Sequence, residues 1–200
     1  MITVVAVDLA ASAHRHAARC FTGGTEAFYM SDQSLYLATT RNNYSYSGVF
    51  PVYEDQTTTD IHKFAFSGLD ITYRGSGNVK GHLGFDQIRK SFRMGEHEGA
   101  LRVITQSQQR WVGWIQPAVM PVMIDDVNLP TSVAATATTG TTTKTTTAVI
   151  ESPGRLAILK EIGGALAVVG ELPSAARPEP LGKPGEQLYA SRFIGNRGYL

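Results

Sequence analysis

The chain has 200 residues, with 18 Lys and Arg against 17 Asp and Glu, for a net charge of +1, and 42% of it is hydrophobic. That is enough apolar sequence for one domain with a real core, and no run of about 18 apolar residues occurs that would span a membrane. The charge balance supplies no basic face for nucleic acid. A single cysteine, Cys20, cannot form an intrachain disulfide, and its place between Arg19 and Phe21 in a strand pattern predicts a small buried hydrophobe.

The N-terminus, from Ile2 to Val7, has no basic leader or cleavage site and reads as a strand. Short alternating segments punctuated by Gly, Asn, Asp and Ser then follow one another along the chain. Val4–Leu9 turns through residues 10–13 and returns through Ala18–Phe21. Glu26–Met30 turns at Ser31–Ser34 into Leu35–Thr39. Ile61–Phe66 turns at Ser67-Gly68 and returns through Ile71–Arg74. Ile88–Met94 turns at Gly95–Gly99 into Leu101–Thr105. Leu156–Ile162 and Ala165–Gly170 flank Gly163-Gly164, a pair suited to the positive φ angles of a two-residue hairpin turn. Leu188–Ile194 turns at Gly195–Gly198 into Tyr199-Leu200.

These hairpins group in pairs, so the repeating unit is four strands. Val4 to Ile61 spans 57 positions, and Ile61 to Leu156 spans 95. The excess falls in residues 117–153, where Thr131 to Thr147 holds ten threonines among 17 residues. Such a run has no apolar face to bury, so it reads as a surface loop, with O-glycosylation as the functional alternative. Without it, units of about 2–56, 57–116 and 154–200 remain. The expected class is all-β: a partial β-propeller of about three four-stranded antiparallel blades.

Thr58–Phe64, Met94–Thr105 and Tyr189–Leu200 carry a resemblance to the β-propeller domain family of secreted prokaryotic proteins, a family distantly related to the WD-repeat propellers. The three motifs occur in the family's order, and the resemblance runs from about Val4 to Leu200 except for the Thr-rich insertion. It implies an extracellular or cell-surface location and brings no catalytic residues. The family's export signal is absent and its sequence continues past Gly198-Tyr199-Leu200, so the chain is expected to be a fragment or an incomplete gene product. Open blade edges then predict aggregation or self-association.

Candidate chemistry is sparse. His14 and His16 at i, i+2 lack further ligands at matching spacing for zinc, and Asp125-Asp126 with Asn128 lack the acidic ladder of a calcium loop. His62 and His97 read as polar groups of the blade. Nucleophile-elbow, phosphate-loop and HExxH motifs do not occur, so neither catalytic residues nor a cofactor are assigned. A hydrolase with its site at the mouth of a complete ring, and a structural spacer of an envelope protein, stand as alternatives. The leading expectation is a non-catalytic module that binds a protein, peptide or glycan. Its candidate contact loop holds Tyr44, Tyr46, Phe50 and Tyr53, because tyrosines among small polar residues give large contact area at low entropic cost. Trp111 and Trp114 flank the insertion as core or rim residues.

Overall fold

The computed structural model describes residues 1–10, 12–42, 44–47, 52–107, 154–183, 186 and 188–200. Among them, secondary structure is almost entirely antiparallel strand. Strands β1 (Ile2–Val7) and β2 (His16–Phe21) form a hairpin. A four-stranded sheet follows in the order β3 (Ala27–Met30), β4 (Ser34–Arg41), β7 (Thr58–Ser67), β8 (Asp70–Lys80), with the small hairpin of β5 (Tyr44–Ser47) and β6 (Val52–Asp55) between its middle strands. The second sheet consists of β9 (Met94–His97), β10 (Ala100–Gln106), β11 (Gly154–Ile162) and β12 (Ala165–Leu172). A last hairpin joins β13 (Arg192–Ile194) to β14 (Arg197–Tyr199).

The all-β expectation therefore holds, but the sheets are out of phase with the sequence units. Each complete sheet takes its first two strands from one unit and its last two from the next: β3 and β4 come from 2–56, while β7 and β8 come from 57–116. The described strands outside β5–β6 are thus two full sheets and two halves, the strands of about three four-stranded blades divided out of phase with the units. The physical reason lies in the pairing of β4 with β7, which runs without interruption from Ser34↔Ala65 to Arg41↔Thr58. Between β2 and β3 no ladder forms among the described residues.

Period-two alternation gives each sheet two apolar faces. Tyr36, Ile61 and Val79 of the first sheet pack against Leu101, Val103 and Leu159 of the second, in the largest buried cluster. Each full burial of a side chain of this size contributes about 1.5–3 kcal/mol. On its other face the first sheet presents Leu35, Leu37, Phe64 and Ile71 to Ile2, Val4, Ala6 and Phe21 of the leading hairpin. The trailing hairpin lies on the far face of the second sheet, where Phe193 packs on Gly95 so closely that a Cβ there would meet its ring at 2.7 Å.

Two local departures from the sequence reading have clear causes. Ile88–Met94 is not a strand: Lys90–Arg93 is a 3-10 turn and β9 begins only at Met94. The turn buries the Lys90 ammonium against Glu26 (3.2 Å) and the Arg93 guanidinium against Gln106 (3.2 Å) and the Leu188 carbonyl (2.6 Å). Cys20 is exposed rather than buried. Phe21 takes the core-facing position in β2, so its neighbour is turned outward, beside the Thr3 hydroxyl at 3.5 Å.

Candidate functional site

The connections divide the molecule into two unlike ends. Strands β7–β8, β9–β10, β11–β12 and β13–β14 are joined by two-residue turns, and β3–β4 by three residues. Gly163 (φ 61°) and Gly164 (φ 80°) adopt the left-handed conformation that the sequence pattern anticipates. Antiparallel pairing places all of these turns at one end. The connections β2–β3, β4–β7, β8–β9, β10–β11 and β12–β13 are longer and leave from the other, and residues 8–15 between β1 and β2 are the one long connection of the described strands at the turn end.

Hydrogen bonds bind the long connections together at their roots. The Gly81 N–H donates to the Thr57 carbonyl (2.7 Å), His82 and Gln106 exchange two backbone bonds (2.9 and 2.8 Å), and the Thr105 hydroxyl donates to the Lys80 carbonyl (2.5 Å). The Arg89 guanidinium lies 3.7 Å from the centroid of the Tyr189 ring and donates to its hydroxyl at 2.7 Å, tying the β8–β9 connection to the β12–β13 connection. Phe85 and Tyr189 are nevertheless 74% and 72% exposed, so this end carries exposed aromatic surface.

A cleft of about 320 Å³ opens between the sheets at this end. Its apolar lining includes Val79, Ala157 and Leu172, and its polar rim Asn78, Lys80, Arg155 and Glu171. Two cations and one carboxylate around an apolar floor suit an extended, partly polar ligand better than a purely apolar one. The sequence reading missed this cleft because β8 supplies one wall and β11 and β12 the other. No local motif joins them.

The candidate contact loop is placed in part. Tyr44, Tyr46 and Tyr53 lie on the β5–β6 hairpin, with Tyr44 opposite Asp55 and Tyr46 opposite Tyr53. The hairpin leaves from the same end as the cleft. Phe50 lies outside the described residues, as do Trp111, Trp114, Asp125, Asp126, Asn128 and the Thr-rich run. His14 sits in a turn with φ 44°, ahead of β2, while His16 opens that strand. Among the described residues no three His, Cys, Asp or Glu side chains gather to hold a metal ion. The His62 ring contacts the Tyr73 hydroxyl at 3.1 Å, and His97 stands 3.8 Å from Glu98.

Two electrostatic perturbations lie between the sheets, away from the cleft. The Tyr36 hydroxyl donates to Glu96 at 3.0 Å, and burial followed by that carboxylate's charge pushes its pKa well above the tyrosine range. Ser31 donates to the same carboxylate at 2.5 Å and Ser34 at 3.4 Å. Glu161 of the second sheet accepts from Arg74 (2.9 Å) and pairs with Lys63 (3.3 Å), both of the first. The Arg74 hydrogen bond, with Lys63 adding to it, holds the Glu161 carboxyl below its usual range.

Antiparallel four-stranded sheets stacked face to face, with turns at one end and long connections at the other, define a propeller-type module. A family model described as the beta propeller domain matches residues 1–200, and the chain belongs to that family. No curated protein and no solved structure matches it.

Proposed function

We propose that this chain is the non-catalytic binding part of a secreted or cell-surface propeller protein, and that it meets a protein, peptide or glycan at the long-loop end. The observation that carries the reading is the convergence there of the cleft, the tyrosine-bearing β5–β6 hairpin and the exposed rings of Phe85 and Tyr189. Loops on a stacked-sheet scaffold can vary without disturbing the core, which is why recognition concentrates on them. The perturbed Tyr36 and Glu161 are consumed in joining the sheets, which favours a scaffold over a reaction centre. The export part of the proposal rests on family resemblance.

Peptide and glycan arrays probed with the 200-residue chain test the binding reading. Any ligand found is expected to lose affinity with Lys80→Ala, with Arg155→Ala or with Tyr44→Ala/Tyr46→Ala together. It is expected to be indifferent to Asp32→Ala in the β3–β4 turn at the opposite end. A ligand that ignores all three loop-end changes but responds to the turn-end change would reverse the assignment. Fractionation of cells that make the protein tests export, and recovery solely from cytosol would retire that part.

A further inference from the structure

Each terminal hairpin has the strands of half a sheet. By their order, β13 and β14 occupy the places that β3 and β4, or β9 and β10, hold in a complete sheet. Correspondingly, β1 and β2 occupy the places of β7 and β8, or β11 and β12. Each hairpin therefore covers only half of the sheet it lies on.

The uncovered halves carry exposed apolar side chains. On the first sheet, Phe28 pairs with Leu37 and Met30 with Leu35, which puts Phe28 and Met30 on the face that the leading hairpin covers. They lie beyond its reach and stay 58% and 60% exposed. On the second sheet, Leu166 points into the core between the sheets, so Ile162, paired with the next residue Ala165, points to the opposite face. That is the face on which the trailing hairpin lies, and Ile162 is 58% exposed there. The hairpins' own outer faces carry apolar side chains too: Val5 is 54% and Val7 47% exposed on β1, and Ile194 is 61% and Tyr199 50% exposed on β13–β14, beside Arg192 and Arg197.

We propose that copies of this chain associate head to tail, β14 of one pairing antiparallel with β1 of the next, so that the two hairpins complete a four-stranded sheet shared between copies. The same pairing of second with third strand already occurs twice within the chain, in β4–β7 and β10–β11. Among the described residues, β14 pairs with β13 alone and β1 with β2 alone, leaving both edges free. The completed sheet is sandwiched between the second sheet of one copy and the first sheet of the other. Ile194 and Tyr199 then cover Phe28 and Met30, and Val5 and Val7 cover Ile162. Register parity follows from the faces. Phe193 and its partner Gly198 point to their own second sheet, so Tyr199 points to the neighbouring copy. It must fall opposite a residue of the Ile2, Val4, Ala6 row, because a one-residue slip would turn every side chain of β1 the wrong way. The interface joins two different surfaces, so it is heterologous.

Sedimentation of the 200-residue chain over a concentration series, with Val5→Asp and Ile162→Asp, tests this. Both positions are more than half exposed, so each variant is expected to fold, with the far-ultraviolet circular dichroism of the unchanged chain; Val7→Asp replaces Val5→Asp if it does not. The unchanged chain is expected to associate, each variant to lose association, and an equimolar mixture of the two to form a one-to-one heterodimer, since each keeps the surface the other lacks. Cys20, on the outer face of β2, serves as a reporter: its thiol is expected to react slowly in the associated chain and rapidly in Val5→Asp. A monomer at every concentration, association that survives either substitution, or variants that stay monomeric when mixed would each overturn the proposal.

Discussion

Gly77 of β8 lies so close to Leu166 of β12 that a Cβ at residue 77 would enter the Leu166 carbonyl oxygen. Two residues earlier, Gly75 stands in the same relation to the Gly164 carbonyl, and its φ of 122° is also one that L side chains rarely adopt. The sheets approach each other backbone to backbone along this line. Gly77→Ala is expected to destabilise the chain by about 1–3 kcal/mol, as overpacking of a closed contact does. Gly75→Ala should cost more, because strain is added to the clash. Denaturant melts of the two variants check the order.

The cluster on Glu161 couples the same sheets through charge. Because its carboxyl titrates below the normal range in the folded state, the pairing with Arg74 and Lys63 contributes stability that is present above about pH 4.5. That contribution is lost as pH falls through the depressed value. Glu161→Gln leaves the Lys63 ammonium, whose side chain is only 11% exposed, without its carboxylate. A loss of about 1–2 kcal/mol at neutral pH is expected, with a flatter acid limb in a plot of melting temperature against pH.

Tyr36 governs the opposite limb. Its pKa is raised in the folded chain, so above about pH 10 the unfolded tyrosine ionises while the folded one keeps its proton. Stability therefore falls as pH rises through that window. Tyr36→Phe should weaken this alkaline slope and cost about 1 kcal/mol at neutral pH for the hydrogen bond to Glu96. Thermal melts between pH 7 and 11, with the window set by the ordinary tyrosine value, separate the two effects.

Phe21 is the main anchor of the leading hairpin, its ring centroid 4.4 Å from that of Phe64. Phe21→Ala should loosen β1 and β2 while the paired sheets stay intact, a local cost of about 1–2 kcal/mol. Amide hydrogen exchange would show faster exchange in β1–β2 and unchanged protection in β10–β11.

Much of this architecture was legible in the residues. Strands alternate in the sequence as they do in space, and Gly163-Gly164 marks its turn by chemistry alone. The phase of the sheets was not legible, because a run of similar hairpins can be divided at either junction and only packing chooses between them. Nor does local pattern reveal that Lys90 leaves a strand-like stretch to meet Glu26, a residue 64 positions away. The β5–β6 tyrosines were readable as a composition, whereas the cleft exists only once β8 meets β11 and β12.

The ladder from Ala100↔Lys160 to Gln106↔Gly154 brings the flanks of residues 108–153 together through the sheet itself. Whatever lies between those flanks is clamped at its base by bonds it does not make. That makes the junction an exchangeable cassette: a segment of any length whose ends can meet should plug in there without shifting the register of β10 on β11. Lengthening such a loop costs little, about 0.6 kcal/mol per doubling. The blade can thus change what it displays while keeping how it stacks.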